Sequence, residues 1–479
     1  MQSRRRPPII WFCNRDNKSM YRMPIHYEEN NPQFRTLCDY VMAEMRRLQV
    51  PGVSIGIIHD GREYLAGFGV TSVENPLPVT ADTLFQIGST TKTVTGTIIM
   101  QLVEKGLIDL DEPVKTYLPE LRLKDSYAEG SVTARHLLTH MGGWVGDFFR
   151  ETGNGDDALA CYVAEMAELE QVVPVGTIWS YNNAGFGLAG RLIEVVTGQT
   201  YEEVAQELML NPLGMTNSYF FPADVISRAF AVGHRVDEKQ GVVVERPWAL
   251  ARSAHAVGGL CSSARDQLRY ARFQMGNGTT GDGTRLLSTG TMAAMQTPQG
   301  SANLGRLMGL SWLIKEYGDT RAVLHGGATN GQLSAFLMVP SRGFAITVLT
   351  NADEGSILHD NVVNRALEQY LGIKDPEQPY LGLGIEKLSE YVGSYEAALD
   401  RLSLYLADGE LMVQMTPKGG FPDVGSPPSP PPPPSRVKFL APDRAITIDE
   451  PLINMKAEFL RDEGGRINWL RTSRLHRRM

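Results

Sequence analysis

The chain has 479 residues, with 46 Lys+Arg against 54 Asp+Glu, for a formal net charge of −8. Ordinary globular proportions, 42% hydrophobic and 21% charged, exclude wholesale disorder, and the mild acidity argues against a nucleic-acid partner, which would favour a basic face. No apolar run reaches the roughly 18–20 residues needed to span a bilayer, so no transmembrane segment is expected.

Four cysteines (Cys13, Cys38, Cys161 and Cys261) lie far apart with no Cys-x-x-Cys pair. That spacing excludes a zinc ribbon and a disulfide scaffold, and it predicts reduced thiols in a cytoplasmic protein with no metal site. Arg4, Arg5 and Arg6 begin as an export signal would, but the apolar stretch over 7–13 is too short to continue one. Residues 1–30 are therefore expected to be a poorly ordered leader.

A first helix is predicted over 32–48, where Phe34, Leu37, Val41, Met45 and Leu48 recur every three or four residues. Strands over 53–58 and 64–70 flank Asp60-Gly61, a strong hairpin signal. An apolar helix over 94–107 follows, and helical patterns dominate 134–140, 185–197, 201–210 and 264–275. Strand character returns over 307–314, 321–325, 332–339 and 344–350, before a helix over 357–371. Strands at both ends with helices between predict one antiparallel sheet with helices on its faces and a helical lobe, an α/β (α+β) domain over 31–375. Beyond 376 come short strands and turns, predicting a small antiparallel barrel over 376–479. Residues 427–434 hold seven prolines in eight, which predicts a solvated extended loop, with a partner-binding proline segment as the alternative.

Several catalytic patterns compete. Gly52-Val53-Ser54-Ile55-Gly56 matches a nucleophile elbow, but a strand rather than a helix follows Ser54, so the serine reads as structural. Gly185 to Gly190 match a dinucleotide fingerprint without the preceding strand, so those glycines read as helix packing. His136 and His140 have metal-helix spacing but lack the accompanying glutamate and a third ligand. Ser-x-x-Lys occurs twice. Ser435 and Lys438 fall on a strand, where residues three apart point to opposite faces. Ser89 and Lys92 open a helix, where such residues share a face, and the helix N-terminus favours developing negative charge. Tyr181-Asn182-Asn183 is the only Tyr-x-Asn among seventeen tyrosines. His-x-Gly occurs at His140-Met141-Gly142, ending a helix, and at His325-Gly326-Gly327, where glycines in a strand let a substrate approach main-chain N–H groups.

Ser89…Lys92, Tyr181…Asn183 and His325…Gly327, in this order, resemble the penicillin-recognising serine hydrolases: class C β-lactamases, DD-peptidases, D-aminopeptidases and related esterases. Phe85-Gln86-Ile87-Gly88, the stretch from Thr133 to His140, and Gly258-Gly259-Leu260 are similar too, so the resemblance covers roughly residues 35–372. The region from Tyr391 onward resembles the lipocalin-like domain of some members. The resemblance implies a cofactor-independent hydrolase in which Ser89 forms an acyl-enzyme on an ester or peptide-like amide. Lys92 and Tyr181 would share the proton transfers, and which of them takes the first proton stays open. Asn183 would orient Lys92 and hold a substrate amide, and the N–H groups of Ser89 and Ala328, the residue after Gly327, would form the oxyanion hole. His325 stands where class C β-lactamases carry lysine, which weakens the expectation of β-lactam turnover and makes His325 a substrate-contacting group. The expected partner is a small-molecule ester, amide or peptide, with homo-oligomerisation left open. The alternative is a catalytically silent member serving as a binding or regulatory module, and a third reading makes Ser54 the nucleophile of an α/β-hydrolase.

Overall fold

The computed structural model describes residues 10–14, 17–23, 25–27, 31–237, 239–303, 305–376 and 379–479. Half of the leader expected over 1–30 lies outside them. Within it, the backbone of Ile10–Asn14 pairs with Asn17–Met23, and strand β1 (Ile25–Tyr27) lies at the edge of the main sheet.

Helix α1 spans Pro32–Leu48, as the periodicity predicts. The Asn31 side chain caps it by accepting the Gln33 and Phe34 N–H groups, and Pro32 occupies the first turn, where its missing N–H costs nothing. Strands β2 (Gly52–His59) and β3 (Arg62–Gly69) form the expected hairpin. Helices α2 (Thr91–Glu104), α3 (Asn183–Thr197) and α4 (Ala264–Met275) follow. The sheet is completed by β4 (Gly300–Ser301), β5 (Leu307–Met308), β6 (Leu313–Tyr317), β7 (Thr320–Ala328), β8 (Leu333–Val339) and β9 (Phe344–Thr350). The strand expected over 307–314 is thus two, because Ser311 adopts φ +66° and turns the chain, and β5 folds back on β6. Helix α5 (Gly355–Ala366) closes the domain.

Among the described residues the sheet has nine antiparallel strands in the order β4-β5-β6-β7-β8-β9-β2-β3-β1. Both ends of the domain therefore build one sheet, since β9 pairs with β2. Alternation along the strands divides the core in two. Val53, Ile55, Ile57, Ile346 and Val348 pack toward α1 and α5, whereas Val323, Phe336, Met338 and Leu349 pack toward α2 and α4. A separate apolar cluster, including Leu118, Leu137, Trp144, Met166 and Leu188, holds the helical lobe together.

The C-terminal unit is a closed eight-stranded antiparallel barrel: β10 (Gly393–Glu396), β11 (Asp400–Ala407), β12 (Glu410–Pro417), β13 (Ser435–Ala441), β14 (Arg444–Thr447), β15 (Lys456–Arg461), β16 (Ile467–Arg471) and β17 (Leu475–Arg478). Pairing of β17 with β10 closes it around Tyr391, Tyr395, Phe439 and Phe459. The proline tract lies between β12 and β13, outside any helix or strand. The barrel leans on the helical lobe over the cleft. Leu475 N–H donates to Ser180 Oγ (3.2 Å), and Phe421 meets Phe149 edge-on at 4.9 Å.

Candidate active site

Ser89 sits in a tight turn, Gly88–Thr90, that runs directly into α2. Gly88 holds φ +50°, and a Cβ there would lie 2.6 Å from the Ala328 nitrogen, so the turn is pressed against the end of β7. Ser334 on β8 ties the turn down: its hydroxyl donates to the Ile87 carbonyl (2.7 Å) and pairs with Thr90 Oγ1 (2.8 Å). Lys92, one helical turn after Ser89, is fully buried. Its Nζ lies 2.9 Å from Ser89 Oγ and donates to the Val257 carbonyl at 2.7 Å. Burial first, and the Arg474 cation second, hold its pKa well below the usual lysine range, opposed by Asp147.

Tyr181 precedes α3 and faces the same space. Its ring centroid is 5.1 Å from Lys92 Nζ, and the buried His140 ring packs on it at 4.3 Å. Ser89 lies beside the phenol without completing a hydrogen bond of ordinary geometry. Burial pushes the phenol pKa up despite Ser89 and Arg474.

His325, on β7, is buried and lines the cleft. Its Nδ1–H donates to the Gly326 carbonyl at 2.7 Å, which leaves Nε2 as a bare acceptor with no partner among the described residues. Burial, with Lys92 nearby, lowers its pKa to about 3, so the ring is neutral at ordinary pH. Gly327 is required by space: a Cβ there would lie 1.9 Å from the Ile87 carbonyl oxygen and 2.6 Å from the Ser89 nitrogen. Ser89, Tyr181, Asn183, His325, Gly327 and Ala328 all border one cleft of about 700 Å³.

The β-lactamase family profile matches residues 38–368. The chain is 32% identical over 334 residues to penicillin-binding protein 4 of Amycolatopsis lactamdurans, covering 68% of this chain and 88% of that protein. It is 29% identical over 237 residues to a β-lactamase of Providencia stuartii, covering 50% of this chain and 59% of that one. The chain belongs to the β-lactamase family.

Two solved structures share its fold over nearly the whole length. SurE superposes with a TM-score of 0.74 at 24% identity, covering 93% of this chain and 99% of that one. The octameric penicillin-binding protein homologue from Pyrococcus abyssi gives 0.63 at 26%, covering 93% and 100%. The β-lactamase-family domain and the closed barrel are thus both accounted for, and the barrel fits the lipocalin-like reading.

One expectation for this β-lactamase-family site is corrected. Asn183 does not orient Lys92, which is held by Ser89 and Val257. Asn183 Nδ2 instead donates to Asp147 Oδ1 (2.7 Å), and Asp147 is clamped by Arg474 through two nitrogens at 2.9 Å each. Arg474 comes from the β16–β17 turn of the barrel, and its guanidinium lies 4.8 Å from the Tyr181 ring centroid. The neighbouring Ser473 carbonyl accepts the Tyr181 N–H at 2.9 Å. Ser473 and Arg474, close to the C-terminus, therefore border the cleft. Sequence reasoning missed Asp147 and Arg474.

The competing motifs resolve as structural. Ser54 is buried mid-strand and donates to the Thr80 carbonyl (3.1 Å). Gly187 and Gly190 lie in α3, where added Cβ atoms would meet Tyr162 (2.4 Å) and Ala256 (2.5 Å). His136 accepts from Thr133 in a helix cap, and no cluster of three metal-binding side chains exists among the described residues. Lys438 pairs with Glu410, away from Ser435.

Proposed function

We propose that the protein is a serine hydrolase that cleaves ester or peptide-like amide bonds through an acyl-enzyme. The observation that carries this reading is the 2.9 Å approach of Ser89 Oγ to a buried lysine whose surroundings favour the neutral amine. A serine hydroxyl needs an adjacent base to attack a carbonyl at neutral pH. Lys92, neutral and oriented by the Val257 carbonyl, accepts the Ser89 proton as Oγ bonds to the substrate carbonyl carbon. The tetrahedral oxyanion rests between the N–H groups of Ser89 and Ala328, each such donor being worth about 3–4 kcal/mol at the transition state. The proton then passes by way of Lys92 and Tyr181 to the leaving group, whose bond to carbon breaks. Water, activated by the same pair, releases the acid and frees Ser89.

His325 supplies an acceptor rather than a charge, so it suits a substrate N–H or O–H. Esters and amides follow from this better than substrates held by a lysine at that place. The names of the relatives, a penicillin-binding protein and a β-lactamase, support penicillin as an acylating probe. The octameric homologue supports a homo-oligomer.

Purified protein and Ser89→Ala, assayed with p-nitrophenyl acetate, p-nitrophenyl butyrate, a D-alanyl anilide and nitrocefin, test the reading. Stoichiometric labelling of Ser89 by a fluorophosphonate, lost in Ser89→Ala, is the expected result. Absence of both labelling and turnover would leave the family's silent binding-module alternative standing.

A further inference from the structure

Lys92 makes two hydrogen bonds, and the one to the Val257 carbonyl decides where its amine points. A lysine ammonium has three donors, and the neutral amine left when one proton departs has two and a lone pair. With one N–H held by Val257 at 2.7 Å and Ser89 Oγ 2.9 Å away, the lone pair can take the serine proton before the amine has to turn.

Val257 lies in a single helical turn, His255–Gly258. The inner side of this segment is fixed to α2. Thr95 Oγ1 donates to the Ala256 carbonyl (2.7 Å), and the Leu260 N–H donates to Thr91 Oγ1 (3.2 Å). Gly258 passes so near the Ser89 turn that a Cβ on it would lie 3.4 Å from the Gly88 carbonyl carbon.

The outer side is held by buried charge. His255 Nδ1–H donates to Glu202 Oε1 at 2.6 Å, and Arg252 Nε donates to the same oxygen at 3.1 Å. Burial opposes the Glu202 charge, but the bonds from His255 and Arg252 prevail and lower its pKa to about 2. The His255 ring sits between Phe220 (5.6 Å) and Phe221 (5.3 Å). It also presses on Gly259, where a Cβ would lie 2.6 Å from His255 Cδ2. The ring therefore has one place, and the backbone leading to Val257 is set by it.

Stability alone does not call for this arrangement. Well-packed apolar side chains in place of a buried ion pair are often neutral or stabilising, and the aromatic surroundings of His255 would suit them. What an apolar side chain lacks is a directed bond that fixes the main chain two residues before Val257.

We propose that His255 is a positioning residue: paired with Glu202, it fixes the Val257 carbonyl and, through it, the lone pair of Lys92. This rests on the hydrolase reading, since only a base needs its lone pair aimed.

An asparagine amide can stand in for imidazole Nδ1 and a glutamine amide for Nε2. His255→Asn therefore keeps a donor for Glu202, His255→Gln misplaces it, and His255→Leu removes it while filling the aromatic cage. On the intact protein, kcat and KM are measured with p-nitrophenyl acetate, crystal structures give the separation of Lys92 Nζ from the Val257 oxygen, and thermal melts confirm folding. His255→Gln and His255→Leu should lower kcat about 100-fold with KM within about twofold, as expected for a displacement of about 1 Å. In both, the Val257 oxygen should leave hydrogen-bond reach of Lys92. His255→Asn should restore most of the lost kcat and keep that bond. Wild-type kcat in His255→Gln and His255→Leu, a Lys92–Val257 bond kept in both, or an asparagine variant no better than the glutamine one overturns the proposal. If the wild type hydrolyses nothing, the hydrolase reading fails, while the crystal separations still decide whether His255 places Val257.

Discussion

Gly327 lies so close to the Ile87 carbonyl that a methyl group at position 327 would sit 1.9 Å from its oxygen. Both contacting atoms are main chain, so neither can rotate away, and Gly327→Ala must push β7 off the Ser89 turn. A displacement of about 1 Å in such a site costs roughly 100-fold in rate. We expect kcat/KM for p-nitrophenyl acetate to fall at least that far, while circular dichroism still reports the native fold. Full activity in Gly327→Ala would remove Ala328 from the oxyanion hole.

Lys92 can serve as base only by losing its proton. Lys92→Met removes the amine at similar volume, and Lys92→Arg keeps a cation that does not deprotonate. Both should lower kcat/KM by about 1,000-fold or more across the pH range. An active Lys92→Arg would instead assign the first proton transfer to Tyr181.

Arg474 acts on the site through charge as well as through Asp147. Its cation helps to hold the Lys92 pKa down, and Asp147 opposes it. In Arg474→Gln, Lys92 should keep its proton to higher pH, and the acid limb of kcat/KM should move upward. The Asp147 side chain, only 3% exposed, would also lose its partner, a change that costs about 3 kcal/mol. Urea unfolding measures the second effect and a pH–rate profile the first. A limb that stays in place would separate Arg474 from the chemistry.

His359 on α5 is buried, bonded to Thr350, and lowered by burial to about 3. Its folded pKa lies below its unfolded value near 6.5, so the unfolded chain binds the extra proton between those values. Its contribution is therefore complete above about pH 6.5 and declines as pH falls toward 3, at about 1.4 kcal/mol per pH unit. Replacing it in His359→Gln should flatten the fall in unfolding free energy between pH 6 and pH 5 by that amount. An unchanged slope would mean that His359 protonates without disturbing the fold.

What sequence could show depended on how local the signal was. Helix α1 and the β2–β3 hairpin were legible because spacing and turn chemistry act over a few residues. Ser89 and Lys92 were legible because one helical turn separates them. The turn at Ser311 left no such trace, since nothing in the apolar run over 307–314 marks a positive φ. The misplaced role of Asn183 has the same origin. Its true partner, Asp147, is clamped by an arginine 327 positions away, and no period in a sequence announces such an encounter.

The turn that leads into β17, the strand that closes the barrel, also carries the clamp on Asp147. Arg474 lies 327 positions after Asp147, so the carboxylate's counterion is among the last residues of the chain to be synthesised. A fault in the barrel would therefore reach into the first unit by leaving the buried Asp147 without its counterion.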